Sequence, residues 1–172
     1  IIPGLYKLFD EAIVNCRDHQ VRMDAKCLSA SSTDGNDNSI SNIPVTNISV
    51  SIADDGVITF TNDGNGIDIA KHPEYDVWIP EMIFGHLRTS TNYNKDEKRI
   101  VGGKNGYGAK LANIYSTEFV VETVDHFHKK KYVHTYRENM KISEKPIITD
   151  NHSEEPYTQI KFRPDFTRFK ID

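Results

Sequence analysis

The sequence predicts an α+β fold, a two-layer sandwich in which a mostly antiparallel, mixed sheet carries helices on one face. Three observations predict it. An apolar stripe at helical spacing opens the chain, β-patterned runs separated by tight turns recur between 48 and 61 and between 118 and 163, and short helical segments lie between these two blocks with no repeating βαβ unit.

The opening stripe is Leu5, Leu8, Phe9, Ala12, Ile13 and Cys16, the i, i+3, i+4, i+7, i+8, i+11 series of an amphipathic helix. Entered through Pro3-Gly4, it predicts a helix from Leu5 to Asp18. The other face carries Asp10, Glu11, Asn15 and Asp18, and the spacing of four stacks Glu11 and Asn15 on adjacent turns. Residues 29–47, rich in Ser, Asn, Asp and Thr, predict a mobile surface loop that adds little core and takes no part in chemistry.

Ile48, Val50 and Ile52 then alternate with polar or small residues, Asp54-Asp55-Gly56 marks a turn, and Val57 to Thr61 complete a hairpin. Its second strand delivers Asn62-Asp63-Gly64-Asn65-Gly66. A short buried helix follows Pro80 within 76–87, and a glycine-rich loop at 102–108 opens a helix from Ala109 to Tyr115. Three strands complete the chain at Glu118–Asp125, Lys131–Arg137 and Tyr157–Arg163.

With 172 residues, 37% of them hydrophobic and 27% charged, the chain is one globular domain rather than a disordered segment. No run approaches eighteen apolar residues, which excludes a membrane-spanning helix and makes a membrane partner unexpected. The balance of 21 basic against 25 acidic residues argues against a free-standing nucleic-acid binder. Cys16 and Cys27 form neither a C-x-x-C pair nor a disulfide ladder, so a reducing compartment fits. The chain starts Ile1-Ile2-Pro3-Gly4 without Met and stops just after a strand pattern, and we expect it to be an excised domain.

Four groups of residues suit phosphate-ester chemistry, and each alone has a plain structural reading. Glu11 can take a proton from water while the Asn15 amide one turn away is a hard neutral ligand for Mg²⁺; such pairs are more commonly solvated. Asp63-Gly64-x-Gly66 can accept from an exocyclic amine, or form an ordinary Asx turn. Gly103-x-x-Gly106-x-Gly108-Ala109-Lys110 aims backbone N–H groups and a helix start at one point, which suits a phosphate. It misses the P-loop pattern, which needs Lys and then Ser or Thr where this chain has Ala109, Lys110 and Leu111. Ser90-Thr91-Asn92 can bond ribose and phosphate oxygens or cap a helix. Thr158, in the alternating Thr158-x-Ile160-x-Phe162 strand, reads as a hydroxyl at the edge of the core.

In this order the motifs resemble the three nucleotide-binding motifs of the ATPase superfamily shared by DNA gyrase, a heat-shock chaperone, bacterial histidine kinases and mismatch-repair proteins. Longer runs narrow the resemblance. Ile2-Pro3-Gly4-Leu5-Tyr6-Lys7-Leu8-Phe9-Asp10-Glu11, Ile79-Pro80-Glu81-Met82-Ile83-Phe84-Gly85-His86-Leu87, Thr89 to Tyr93 and Gly102 to Leu111 are similar to the ATPase domain of eukaryotic-type DNA topoisomerase II. The resemblance covers almost the whole chain and implies a Bergerat-type ATP-binding fold with ATP and Mg²⁺ as ligands. It implies Glu11 as the general base that activates water and Asn15 as the magnesium ligand. Asp63, helped by Thr158, would receive the adenine amino group. Ser90, Thr91 and Asn92 would bond ribose and phosphates. Gly103, Lys104, Asn105, Gly106, Tyr107, Gly108, Ala109 and Lys110 would wrap the triphosphate.

Two departures stand out: Asn15-Cys16-Arg17-Asp18-His19 replaces the family's Asn-Ala-Ala-Asp-Asn, and Lys104 replaces Arg. Lys keeps the charge and loses the fork geometry. The family's transducer and DNA-cleavage domains are absent from these 172 residues. The resemblance therefore implies a chain that binds ATP and turns it over poorly alone, is monomeric alone, and dimerises and handles DNA only within the complete nuclear or viral enzyme.

A nucleotide-sensing interaction module without hydrolysis is the chemically distinct alternative. A DNA-binding module resting on Lys129-Lys130-Lys131 is the third class, disfavoured by the acidic balance. His126, His128 and His134 suggest no metal site, since no carboxylate or cysteine is read at ligand spacing. Cys16, on the apolar side of its helix, is expected to be a buried, inert thiol.

Overall fold

The computed structural model describes residues 2–30, 41–86 and 108–171. Helix α1 runs Pro3–Ala30, well past the predicted end at Asp18. The reason lies in its buried face. Leu8, Ala12 and Cys16 continue into Met23, at spacings of four, four and seven, so the core-facing stripe survives the polar stretch Asp18-His19-Gln20.

Strands β1 (Ile48–Ile52) and β2 (Ile58–Asn62) form the predicted hairpin. Helix α2 (Ile79–Gly85) has Pro80 in its first turn and buries Pro80, Met82 and Phe84, and α3 spans Gly108–Ile114. Strands β3 (Ser116–Asp125), β4 (Lys130–Arg137), β5 (Ile142–Ser143), β6 (Ile147–Asp150) and β7 (Tyr157–Pro164) follow, closed by a 3₁₀ turn at Phe166–Phe169. The sheet order is β1-β2-β7-β3-β4-β5, with β6 also on β4. Every pairing among the described strands is antiparallel, where a mixed sheet was expected. The two short strands β5 and β6 have too little alternation to show in the sequence.

Register puts three cross-strand rows on one face. Ile58, Phe162 and Phe119 form the first, Phe60, Ile160 and Val121 the second, and Asn62, Thr158 and Thr123 the third. The first two are the apolar core, packed with Ala12, Cys16, Phe84 and Ala112 from the helices. The opposite face is charged: Arg137 pairs with Glu118 and Glu144, and Lys131 with Glu122 and Glu154. Helices on one face and a wetted other face make the α+β two-layer sandwich that the sequence predicted.

Residues 29–30 and 41–47 depart from the reading of 29–47 as a surface loop that adds little core. Residues 29–30 end α1, Val45 is buried, and the segment is bonded to the turn after β2. Residues 31–40 lie outside the described residues. Among the described residues no helix is long and apolar enough to cross a membrane.

Candidate nucleotide site

The third row is where the sheet changes from apolar to polar. Asn62, Thr158 and Thr123 occupy positions that alternation assigns to the core face, and all three are buried. Their polar atoms are bonded to one another and to the backbone. Thr123 Oγ1 lies 3.2 Å from Thr158 Oγ1, donates to the Tyr157 carbonyl at 2.9 Å and accepts the Ile67 N–H at 3.0 Å. Asn62 Nδ2 donates to the Asp63 carbonyl at 2.8 Å, which leaves its Oδ1 as the acceptor.

Asp63 does something else. Its Oδ1 accepts the N–H groups of Thr46 and Asn47 at 2.8 and 2.9 Å, and its Oδ2 accepts the Thr46 hydroxyl at 2.5 Å. Burial alone would raise its pKa, but these donors outweigh burial and hold the carboxyl below the usual range. The residue expected to receive an exocyclic amine thus spends its oxygens on the 41–47 segment, and the side chain beside Thr158 is its neighbour Asn62. Strand alternation could have shown this, because Asn62 shares parity with Ile58 and Phe60. The same parity, carried along β3 from Phe119 and Val121, singles out Thr123.

The turn after β2 is fixed from below. Asn65 Oδ1 accepts the Ile43 N–H at 2.7 Å, and its carbonyl accepts the His126 N–H at 2.9 Å. Gly66 has φ +73°, and a Cβ there would lie 2.0 Å from the Val124 carbonyl oxygen, so only glycine lets this segment lie against β3.

Helix α1 brings its polar pair to the same face. Glu11 ion-pairs with Lys7 at 2.8 Å and keeps a side chain 26% exposed, reachable by water. Asn15 Nδ2 donates to the Glu11 carbonyl at 2.7 Å, and its Oδ1 is an acceptor of the type that suits a hard cation. One turn further, the His19 ring packs against Gly64 of the turn after β2, 3.7 Å from where a Cβ would stand.

Gly108, the first residue of α3, meets Glu11 directly. A Cβ on Gly108 would stand 2.1 Å from Glu11 Oε2, so the Glu11 carboxylate rests against the first residue of α3. Ala109 and Lys110 follow, both buried, and burial pushes the Lys110 ammonium below its usual pKa. The candidate residues Ser90, Thr91, Asn92, Gly103, Lys104, Asn105, Gly106 and Tyr107 lie outside the described residues.

The other sequence expectations resolve plainly. Burial pushes the Cys16 thiol up to about 11, as expected of an inert core cysteine. Lys130 and Lys131 pair with Asp150, Glu122 and Glu154, which leaves the basic turn largely neutralised. The histidine reading needs correction: Asp125 lies on His128, and Asp68 is brought beside both by the fold.

No family model matches the chain. DNA topoisomerase 2 of Saccharomyces cerevisiae is 47% identical over 169 residues, 98% of this chain and 11% of that protein. DNA topoisomerase 2 of Acanthamoeba polyphaga mimivirus is 45% identical over 170 residues, 99% of this chain and 12% of that protein. The crystal structure of the ATPase region of S. cerevisiae topoisomerase II matches with a TM-score of 0.84 at 45% identity, over 100% of this chain and 41% of that one. The chain thus spans about a tenth of the length of these curated relatives. By sequence along its whole length and by fold, it belongs to the type II DNA topoisomerases, as a segment of their ATPase region.

Proposed function

We propose that the chain binds Mg·ATP between α1, the turn after β2 and the start of α3, and hydrolyses it to drive DNA strand passage by a complete type II topoisomerase. The observation that carries this is the contact of Glu11 with Gly108, which joins a water-accessible carboxylate to the glycine-rich phosphate segment on the face where the polar row ends the core.

In this reading Asn62 replaces Asp63 as the adenine residue. The adenine amino group donates to Asn62 Oδ1, and the Thr158 hydroxyl, backed by Thr123, bonds the ring edge. Ser90, Thr91 and Asn92 hold ribose and phosphate, and Gly103 to Lys110 wrap the triphosphate with backbone N–H groups. A bound Mg²⁺ neutralises charge on the phosphates, and the residue fitted to hold it is Asn15. Glu11 takes a proton from the attacking water, and Lys7 holds that carboxylate in place. The buried Lys110 supplies positive charge on the phosphate side of the site.

Nucleotide binding would close a dimer gate in the complete enzyme, whose DNA-handling surfaces lie in other parts of it, in a eukaryotic nucleus or a viral factory. The 172 residues would form one ATP-binding domain, monomeric alone and slow in turnover, because transition-state stabilisation needs groups beyond it. The test is Glu11→Ala in the complete enzyme. We expect analogue binding to persist while kcat falls by roughly 10²–10⁴-fold. Unchanged turnover would remove Glu11 from the chemistry.

A further inference from the structure

A second cluster of ligating side chains sits at the root of the segment that follows the turn after β2. Asp68, Asp125 and His128 each place one donor atom within 4.8 Å of the others. The three come from two parts of the chain. Asp125 ends β3 and His128 lies in the β3–β4 turn, while Asp68 is carried in by the segment tied to β3 through Gly66 and Ile67.

The cluster has an anchored member and two reachable ones. The Asp125 side chain is fully buried, and both of its oxygens are oriented by backbone donors: Oδ2 accepts the Ile69 N–H at 2.7 Å and Oδ1 the Phe127 N–H at 2.8 Å. Its Oδ2 also contacts His128 Nδ1. The Ile69 bond fixes the backbone next to Asp68, so one contact positions two carboxylates. Asp68 is exposed and the His128 side chain is 43% exposed, so a cation has a path in and both side chains have room to adjust.

We propose that Asp68, Asp125 and His128 form a binding site for a divalent cation of the zinc class, such as Zn²⁺ or Co²⁺. An imidazole with two carboxylates is a mixed nitrogen and oxygen set, which suits these ions and not Mg²⁺ or Ca²⁺, and three protein ligands leave a fourth position for water. The ion would take the place of the hydrogen bond between His128 Nδ1 and Asp125 Oδ2. It shares no ligand with any magnesium at Asn15, because Asp68 lies on the segment after β2, Asp125 at the end of β3 and His128 in the β3–β4 turn, none of them on α1. Ligation would tie residues 66–69 to β3 and so brace the adenine end of the pocket.

The test uses the metal-free, nucleotide-free chain, titrated with Co²⁺ by visible absorption and with Zn²⁺ by calorimetry. We expect one saturable site. His128→Ala and Asp68→Asn, both exposed and so compatible with folding by circular dichroism, should each weaken binding by at least about tenfold. His126→Ala should not, since that ring is turned to the Ser41 carbonyl at 3.1 Å. No saturable binding up to roughly millimolar metal, or binding retained in both His128→Ala and Asp68→Asn, would overturn the assignment.

Discussion

Because β2 alternates, Asn62 faces the helices while Asp63 turns to the Thr46 and Asn47 backbone, so substitutions at these neighbours should fail differently. Asp63→Ala removes three hydrogen bonds to a partly exposed carboxylate, and we expect a loss of about 1–2 kcal/mol in denaturant unfolding. The sign with pH follows from its lowered pKa. The unfolded carboxyl binds protons more readily, so Asp63 stabilises the fold above the ordinary carboxylate range, and this contribution is lost as pH falls through the folded value. Asp63→Ala should therefore flatten the acid limb of the stability curve. At the alkaline end Cys16, raised from 9.0 to about 11, contributes stability that is present below pH 9.0 and lost as pH rises toward 11. Alkylation of the native chain near pH 8 should accordingly label Cys27 well before Cys16. A sequence reader meets D-G first and assigns chemistry to Asp63. Parity with Phe60 was available in the letters, but the donors at 46 and 47, seventeen and sixteen residues away, were not.

Between elements, α1 and α3 meet at Gly108 against Glu11, and a substitution there tests the proposed role of Glu11 apart from stability. Gly108→Ala would put a methyl group 2.1 Å from the end of a flexible side chain, so the Glu11 carboxylate moves rather than the backbone. We expect stability within about 1 kcal/mol of the parent, since alanine is the better helix former, and a kcat lower by roughly 10-fold or more with KM little changed. Gly66→Ala is the opposite case. Its methyl would meet the Val124 carbonyl oxygen at positive φ, and a loss above roughly 2 kcal/mol should appear in thermal unfolding. Most elements were legible because each follows one period: the 3.6-residue stripe of α1 and the alternation of β2, β3, β4 and β7. The far half of α1 was not, because its core contacts through Met23 are sparse and its sequence is polar. The 41–47 segment was not legible either, because its order comes from Asp63 and Asn65 and not from its own composition.

Across the whole molecule, one face of the sheet holds the helices and the polar row, while the other is covered by ion pairs involving Glu118, Glu122, Lys131 and Arg137. A net charge of -4 and lysines already paired at 130 and 131 agree with the proposal that this segment binds nucleotide while DNA is handled by other parts of a complete enzyme. The order of the three motifs, helix, strand end and glycine-rich loop, carried the function further than composition did. In the proposed function this face holds Mg·ATP through Asn62 at the adenine end. Calorimetric titration of the chain with a non-hydrolysable ATP analogue and Mg²⁺, compared with Asn62→Ala, tests it most directly. We expect saturable one-to-one binding that weakens by at least about tenfold in the variant; no binding by the parent, or equal affinity for both, would rule out Asn62 as the adenine residue.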